Sequence, residues 1–130
     1  MSVGEAMGRT LTGQAAAAVT TNRIVNMDGS LPEDLRFQHA GANEYCSGVS
    51  LEGRASGDRD LPVQLDGFVW LECDGTAAIA VGDPLEANAT GLGVLATGAG
   101  QHNLIGHAAE ALAAGTALIR VLININNLTI

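Results

Sequence analysis

Lysine is absent from this chain. All six basic residues are arginines, set against fourteen acidic residues, for a net charge of −8. That balance argues against a nucleic-acid partner, because gripping a phosphate backbone needs cations that displace its counterions. It argues equally against docking on an anionic membrane. Without lysine, the chain cannot be a carrier domain that bears biotin or lipoate on a hairpin lysine. Aromatic residues are few: Phe37, Tyr45, Phe68 and Trp70. The two cysteines, Cys46 and Cys73, form neither a C-x-x-C pair nor a metal-binding spacing. Buried free thiols are the expected state, although spacing alone does not decide against a disulfide. No apolar run reaches transmembrane length. Residues 1–13 contain no apolar segment of the signal-peptide kind. The chain is therefore expected to be made and kept soluble.

Reaction chemistry is as scarce as lysine. No G-x-S-x-G elbow occurs. The Gly-rich stretch Gly91–Gly100 lacks the lysine of a phosphate-binding loop. His102 and His107 are spaced so that they diverge on either a strand or a helix, so they make no local metal pair. Asp58 and Asp60 share a loop without the pattern of a calcium-binding hand. Asp28, Asp58, Asp74 and Asp83 all stand beside Gly or Pro, where a short carboxylate caps turn backbone. The expectation is a protein that is not an enzyme, with no catalytic, cofactor or metal residues.

What remains is sheet and turn. The length suits one domain with an adequate core. Arg23–Met27 reads as a strand closed by the turn Asp28-Gly29. Ser30 to Glu33 has the spacing of a helix capping box, but the alternation Leu35, Phe37, His39 favours a strand. Tyr45–Leu51 is a further strand. Leu61, Val63 and Leu65 alternate clearly with polar neighbours. Ala77, Ile79 and Val81 run toward the turn Gly82-Asp83-Pro84. Short strands follow at Leu85–Ala89 and Leu92–Ala96. Leu104–Leu112 is read as a strand of small residues despite its alanines. In the closing run, Ile119, Val121, Ile123 and Ile125 share one face, with Leu118, Arg120, Leu122 and Asn124 on the other. The sum is about eight or nine short strands, the pattern of an all-β antiparallel sandwich or barrel.

Two segments stand out as candidate contact surfaces. Beyond Gly67, Phe68 and Trp70 occupy the face that was polar before it. Either Gly67 marks a bulge that flips the register, or the strand is apolar on both faces and Phe68 and Trp70 lie between subunits. Residues 1–21 differ in composition, being small, polar and alanine-rich. They read as an extended N-terminal arm preceding a β-rich domain over residues 22–130. Ala15, Ala16, Ala17 and Ala18 suffice for no more than a marginal helical turn. Together with Val19 they are the arm's candidate contact residues.

The order of motifs carries a resemblance. It runs from Gly48-Val49-Ser50 through Leu61-Pro62-Val63-Gln64-Leu65-Asp66-Gly67 and Val81-Gly82-Asp83-Pro84-Leu85. It continues in Leu104-Ile105-Gly106-His107-Ala108 and Ala117-Leu118-Ile119-Arg120-Val121-Leu122-Ile123. Over residues 22–123 this resembles the head decoration, or capsid cement, proteins of tailed bacteriophages. The resemblance implies a compact β-fold, a homotrimer, and a place on the outer surface of the mature head after assembly in the host cytoplasm. There the partner would be the major capsid protein, whose lattice such trimers clamp. A different class, a small β-sandwich module binding carbohydrate or a protein ligand, would present a similar pattern of strands and turns.

Overall fold

A computed structural model describes residues 8–27 and 35–129. The expected turn at Asp28-Gly29 and the Ser30–Glu33 box fall outside the described residues. Among those residues there is no helix. Ten strands are present: β1 Thr10–Ala15, β2 Ile24–Met27, β3 Arg36–His39, β4 Gly48–Ser50, β5 Leu61–Gln64, β6 Gly67–Asp74, β7 Pro84–Ala87, β8 Gly93–Leu95, β9 Gln101–Ala108 and β10 Thr116–Thr129. They close into two five-stranded barrels, ordered β1-β3-β2-β4-β5 and β6-β8-β7-β9-β10. The all-β expectation therefore holds, with a difference in pairing. The sheets are mixed, because β1–β3 and β6–β8 are parallel and the other pairs antiparallel.

The two barrels are the same unit built twice. Gly13 opposite Leu61 in the first corresponds to Leu71 opposite Ile119 in the second. The backbone repeats bond for bond. The Asn22 amide donates to the Ser50 carbonyl, and the Gly82 amide to that of Ala108. Ala40 donates to Ile24, and Ala96 to Pro84. The isolated bridge Val19–Arg54 recurs as Ile79–Leu112. Gly48 and Gly106 occupy equivalent positions where a Cβ would run into the carbonyl of Gln64 or of Leu122.

Each barrel buries its own interior. The first holds Ala15, Val19, Val25, Phe37, Leu61 and Val63. The second holds Leu71, Cys73, Leu85, Ile105, Ile119 and Val121 among others, and Ile24, Ala40, Cys46 and Val49 of the first barrel pack into the same cluster. Full burial of each large aliphatic side chain contributes about 1.5–3 kcal/mol, so this shared cluster ties the barrels together. Polar stitches add to it. The Asn22 amide side chain donates to the Trp70 carbonyl at 2.8 Å, Glu72 N–H donates to Asn22, and Ile24 N–H donates to Gly91. One exchange of bulk separates the two interiors. In the first, Phe37 fills the space above Gly13, and in the second, Leu71 fills the space beside Gly93.

Two expectations need correction. Thr10–Ala15, assigned by composition to an extended arm, are instead β1, paired with β5 on one side and β3 on the other. Ala15 is fully buried and Val19 nearly so, which makes this stretch part of the first core. Residues 1–7, the remainder of the expected arm, lie outside the described residues. Gly67 is neither a bulge nor the middle of one long strand. It has a φ of 81° and begins the first strand of the second barrel, after the chain turns at Asp66. A residue without Cβ takes that left-handed conformation at no steric cost.

Candidate attachment surface

Strand alternation sorts β6 and β10 into two faces. Val69, Leu71 and Cys73 point inward with Ile119, Val121 and Ile123. Phe68, Trp70 and Glu72 point outward, and the antiparallel register sets them opposite Leu122, Arg120 and Leu118. The four apolar members of this outer strip stay exposed: Phe68 49%, Trp70 45%, Leu118 51% and Leu122 40%. At its centre the Arg120 guanidinium carbon lies over the Trp70 ring, 5.1 Å from the centroid. The Arg120 backbone N–H donates to Glu110 at 2.6 Å. At the rim, Glu72 is paired with Arg23 at 2.9 Å.

Phe68 and Trp70, expected at an interface, thus sit together on one exposed strip. The alanine stretch does not join them. Ala15 and Val19 are interior, Ala16 is half-buried, and only Ala17 and Ala18 are exposed, on the connection between β1 and β2. Leu118, Arg120 and Leu122 were missed as site residues. Their common face was readable from the alternation of the last strand, but its pairing with β6 was not.

The other polar side chains are held in structural roles. His102 is buried, with Nδ1 at 2.8 Å from the Glu86 carboxylate and Nε2 at 3.0 Å from the Gly98 carbonyl. Both partners are acceptors, so the doubly protonated ring satisfies both. The Glu86 hydrogen bond, then the Gly98 carbonyl, raise its pKa. His39 is the opposite case. Burial first, then the Arg23 charge, lower its pKa, and its Nε2 accepts the Thr20 N–H at 2.9 Å. Cys46 and Cys73 are free and buried, and burial pushes both thiols up to about 12. His107 is half-buried on the outer side of β9, well separated in role from His102. Among the described residues no group of three or more His, Cys, Asp or Glu is placed to hold a metal ion.

Comparison with known proteins agrees with this architecture. The family described as phage cement protein matches residues 5–123. The crystal structure of the N base of head fibre gp8.5 in bacteriophage phi29 superposes with a TM-score of 0.71 at 20% identity, covering 89% of this chain and 93% of that one. At that identity the likeness concerns the fold. No curated protein matches the chain.

Proposed function

Because the chain belongs to the phage cement protein family, which gives it a capsid-associated structural role, we propose that it binds the outer surface of the mature head and stabilises the major capsid protein lattice. It acts there as a homotrimer, assembled in the host cytoplasm, and performs no turnover. The exposed apolar strip of Phe68, Trp70, Leu118 and Leu122 carries this reading. A monomeric soluble barrel gains nothing from holding such side chains in water, whereas a protein that fits another surface does. Phe68 and Trp70 are the proposed subunit or capsid contacts.

The mechanism is mass action. A chain that binds only the expanded lattice stabilises that lattice, by about 2.7 kcal/mol per site when its free concentration is a hundred times Kd. Three linked copies add avidity, so each contact can be individually weak. A carbohydrate-binding reading is less well supported, because Arg120 covers one face of Trp70, the exposed aromatic best suited to stack on a sugar.

The test is equilibrium binding of labelled chain to expanded and unexpanded heads, alongside light scattering of the free chain. Saturable binding to expanded heads alone, with a trimeric mass, is the expected result. Equal binding to both head forms, or none to either, refutes the proposal.

A further inference from the structure

The outer strip is not a requirement of the fold, because the protein contains the same face twice. In the first barrel, Thr10 and Thr12 on β1 stand where the second barrel has Phe68 and Trp70 on β6. Pro62 and Gln64 on β5 stand where it has Arg120 and Leu122 on β10, and Gln64, unlike Leu122, is buried, donating to the Asp66 and Phe68 carbonyls. Continuing the register places Asp60 where it has Leu118. Both barrels close and both bury interiors, yet on this equivalent pair of strands only the second carries the row of exposed apolar side chains. Barrel formation therefore does not explain that face.

Arg120 gives the face a chemical identity. Arg9, Arg23 and Arg54 are each paired with a carboxylate, of Asp66, Glu72 and Glu52 respectively. Among the described residues the side chains of Arg36, Arg59 and Arg120 have no carboxylate partner, and of these Arg120 lies over an exposed aromatic ring, that of Trp70. A guanidinium held over an indole keeps the donors needed for two parallel hydrogen bonds to a carboxylate. Phe68, Leu118 and Leu122 surround Arg120. When such a ring meets a complementary surface it excludes water, and the electrostatic attraction inside strengthens as the local dielectric falls. A cation framed by apolar side chains, on a chain of net charge −8, is complementary to an apolar surface with an acidic group at its centre.

We infer that the outer face of β6 and β10 docks on the shell protein, and that Arg120 there takes up a single carboxylate set among apolar side chains. This rests on the shell-binding role proposed above and names the chemistry of its contact. Arg120 supplies selectivity. Phe68, Trp70, Leu118 and Leu122 supply most of the buried area.

The test uses phage heads stripped of this chain, and the full chain as wild type, Arg120→Glu, Arg120→Gln and Phe68→Ser. Thr12→Ala, at the sister position of Trp70, is the control. Melting curves identify the variants that fold. Truncating one member of a desolvated charge pair weakens binding by at least about thirty-fold, so Arg120→Gln is expected to lose that much and Arg120→Glu more. Thr12→Ala is expected to bind as wild type. A lysine placed at the shell carboxylate that contacts Arg120→Glu is expected to restore binding. If wild type binds but the folded Arg120 and Phe68 variants bind equally well, the inference falls and the shell-binding role stands. If those variants lose self-association in sedimentation while keeping head affinity, a second copy covers the face and the inference falls. If wild type itself fails to bind, the shell-binding role falls first, and the inference with it.

Discussion

The exchange of Gly13 and Phe37 for Leu71 and Gly93 permits a direct test of the repeated architecture. If β3 and β8 are equivalent, the second barrel should accept the first barrel's solution when both positions change together. Leu71→Gly alone removes a fully buried side chain and costs about 3–5 kcal/mol, including the extra backbone freedom of glycine in a strand. Gly93→Phe alone does not fit, because even a Cβ there would stand 2.7 Å from Leu71 Cδ2 and 2.8 Å from Cys73 Sγ. Overpacking of this kind costs about 1–3 kcal/mol or more. In the double variant the ring enters the space that Leu71 vacates, as Phe37 does above Gly13. It is expected to lie at least about 2 kcal/mol above the sum of the single effects, within the range of coupling seen for residues in contact. An unfolding entropy of roughly 2.1 cal/mol/K per residue makes that gap about 7 °C in Tm for 130 residues. Thermal and urea melts followed by far-ultraviolet circular dichroism and Trp70 fluorescence provide the measurement. Strict additivity would refute the equivalence of the two barrels.

Two further outcomes follow from the same structure. The raised pKa of His102 means that its protonated form stabilises the fold. That contribution is complete below the ordinary value of 6.5 and is lost as pH rises through the raised one. Wild-type Tm should therefore fall on going from mildly acid to alkaline pH more than that of His102→Gln, and parallel profiles would remove His102 from the account. A chain beginning at Asn22 lacks β1, Ala15 and Val19 and should show no cooperative transition. Native-like melting of the shorter chain would return residues 8–21 to an arm.

The positions of most strands were legible because alternation and Gly-Asp or Asp-Gly turns are local signals. Leu61, Val63 and the run through Ile123 announced their inward faces, and Phe68 and Trp70 their outward one. The first strand was misread because Thr10–Ala15 has little bulk and its support is non-local, coming from Leu61–Gln64 far along the chain. Parallel pairing between β1 and β3 leaves no mark in either segment alone. The duplication was hidden by compensation. Where one copy has glycine the other has a large side chain, as at Gly13 and Leu71, or Phe37 and Gly93, so aligned residues look unrelated while the space they fill together is conserved. Arg120 was visible as a lone cation in an apolar run, but its place on Trp70 depended on a strand register that no local pattern encodes.

The joint between the barrels is one-sided. The first barrel leans on the second through Ile24 N–H and the Asn22 side chain. The corresponding positions in the second are Pro84, which has no amide hydrogen to give, and Gly82, which has no side chain. Proline thus gives the joint a direction: the first barrel donates across it, and the second has no equivalent amide to donate in its turn.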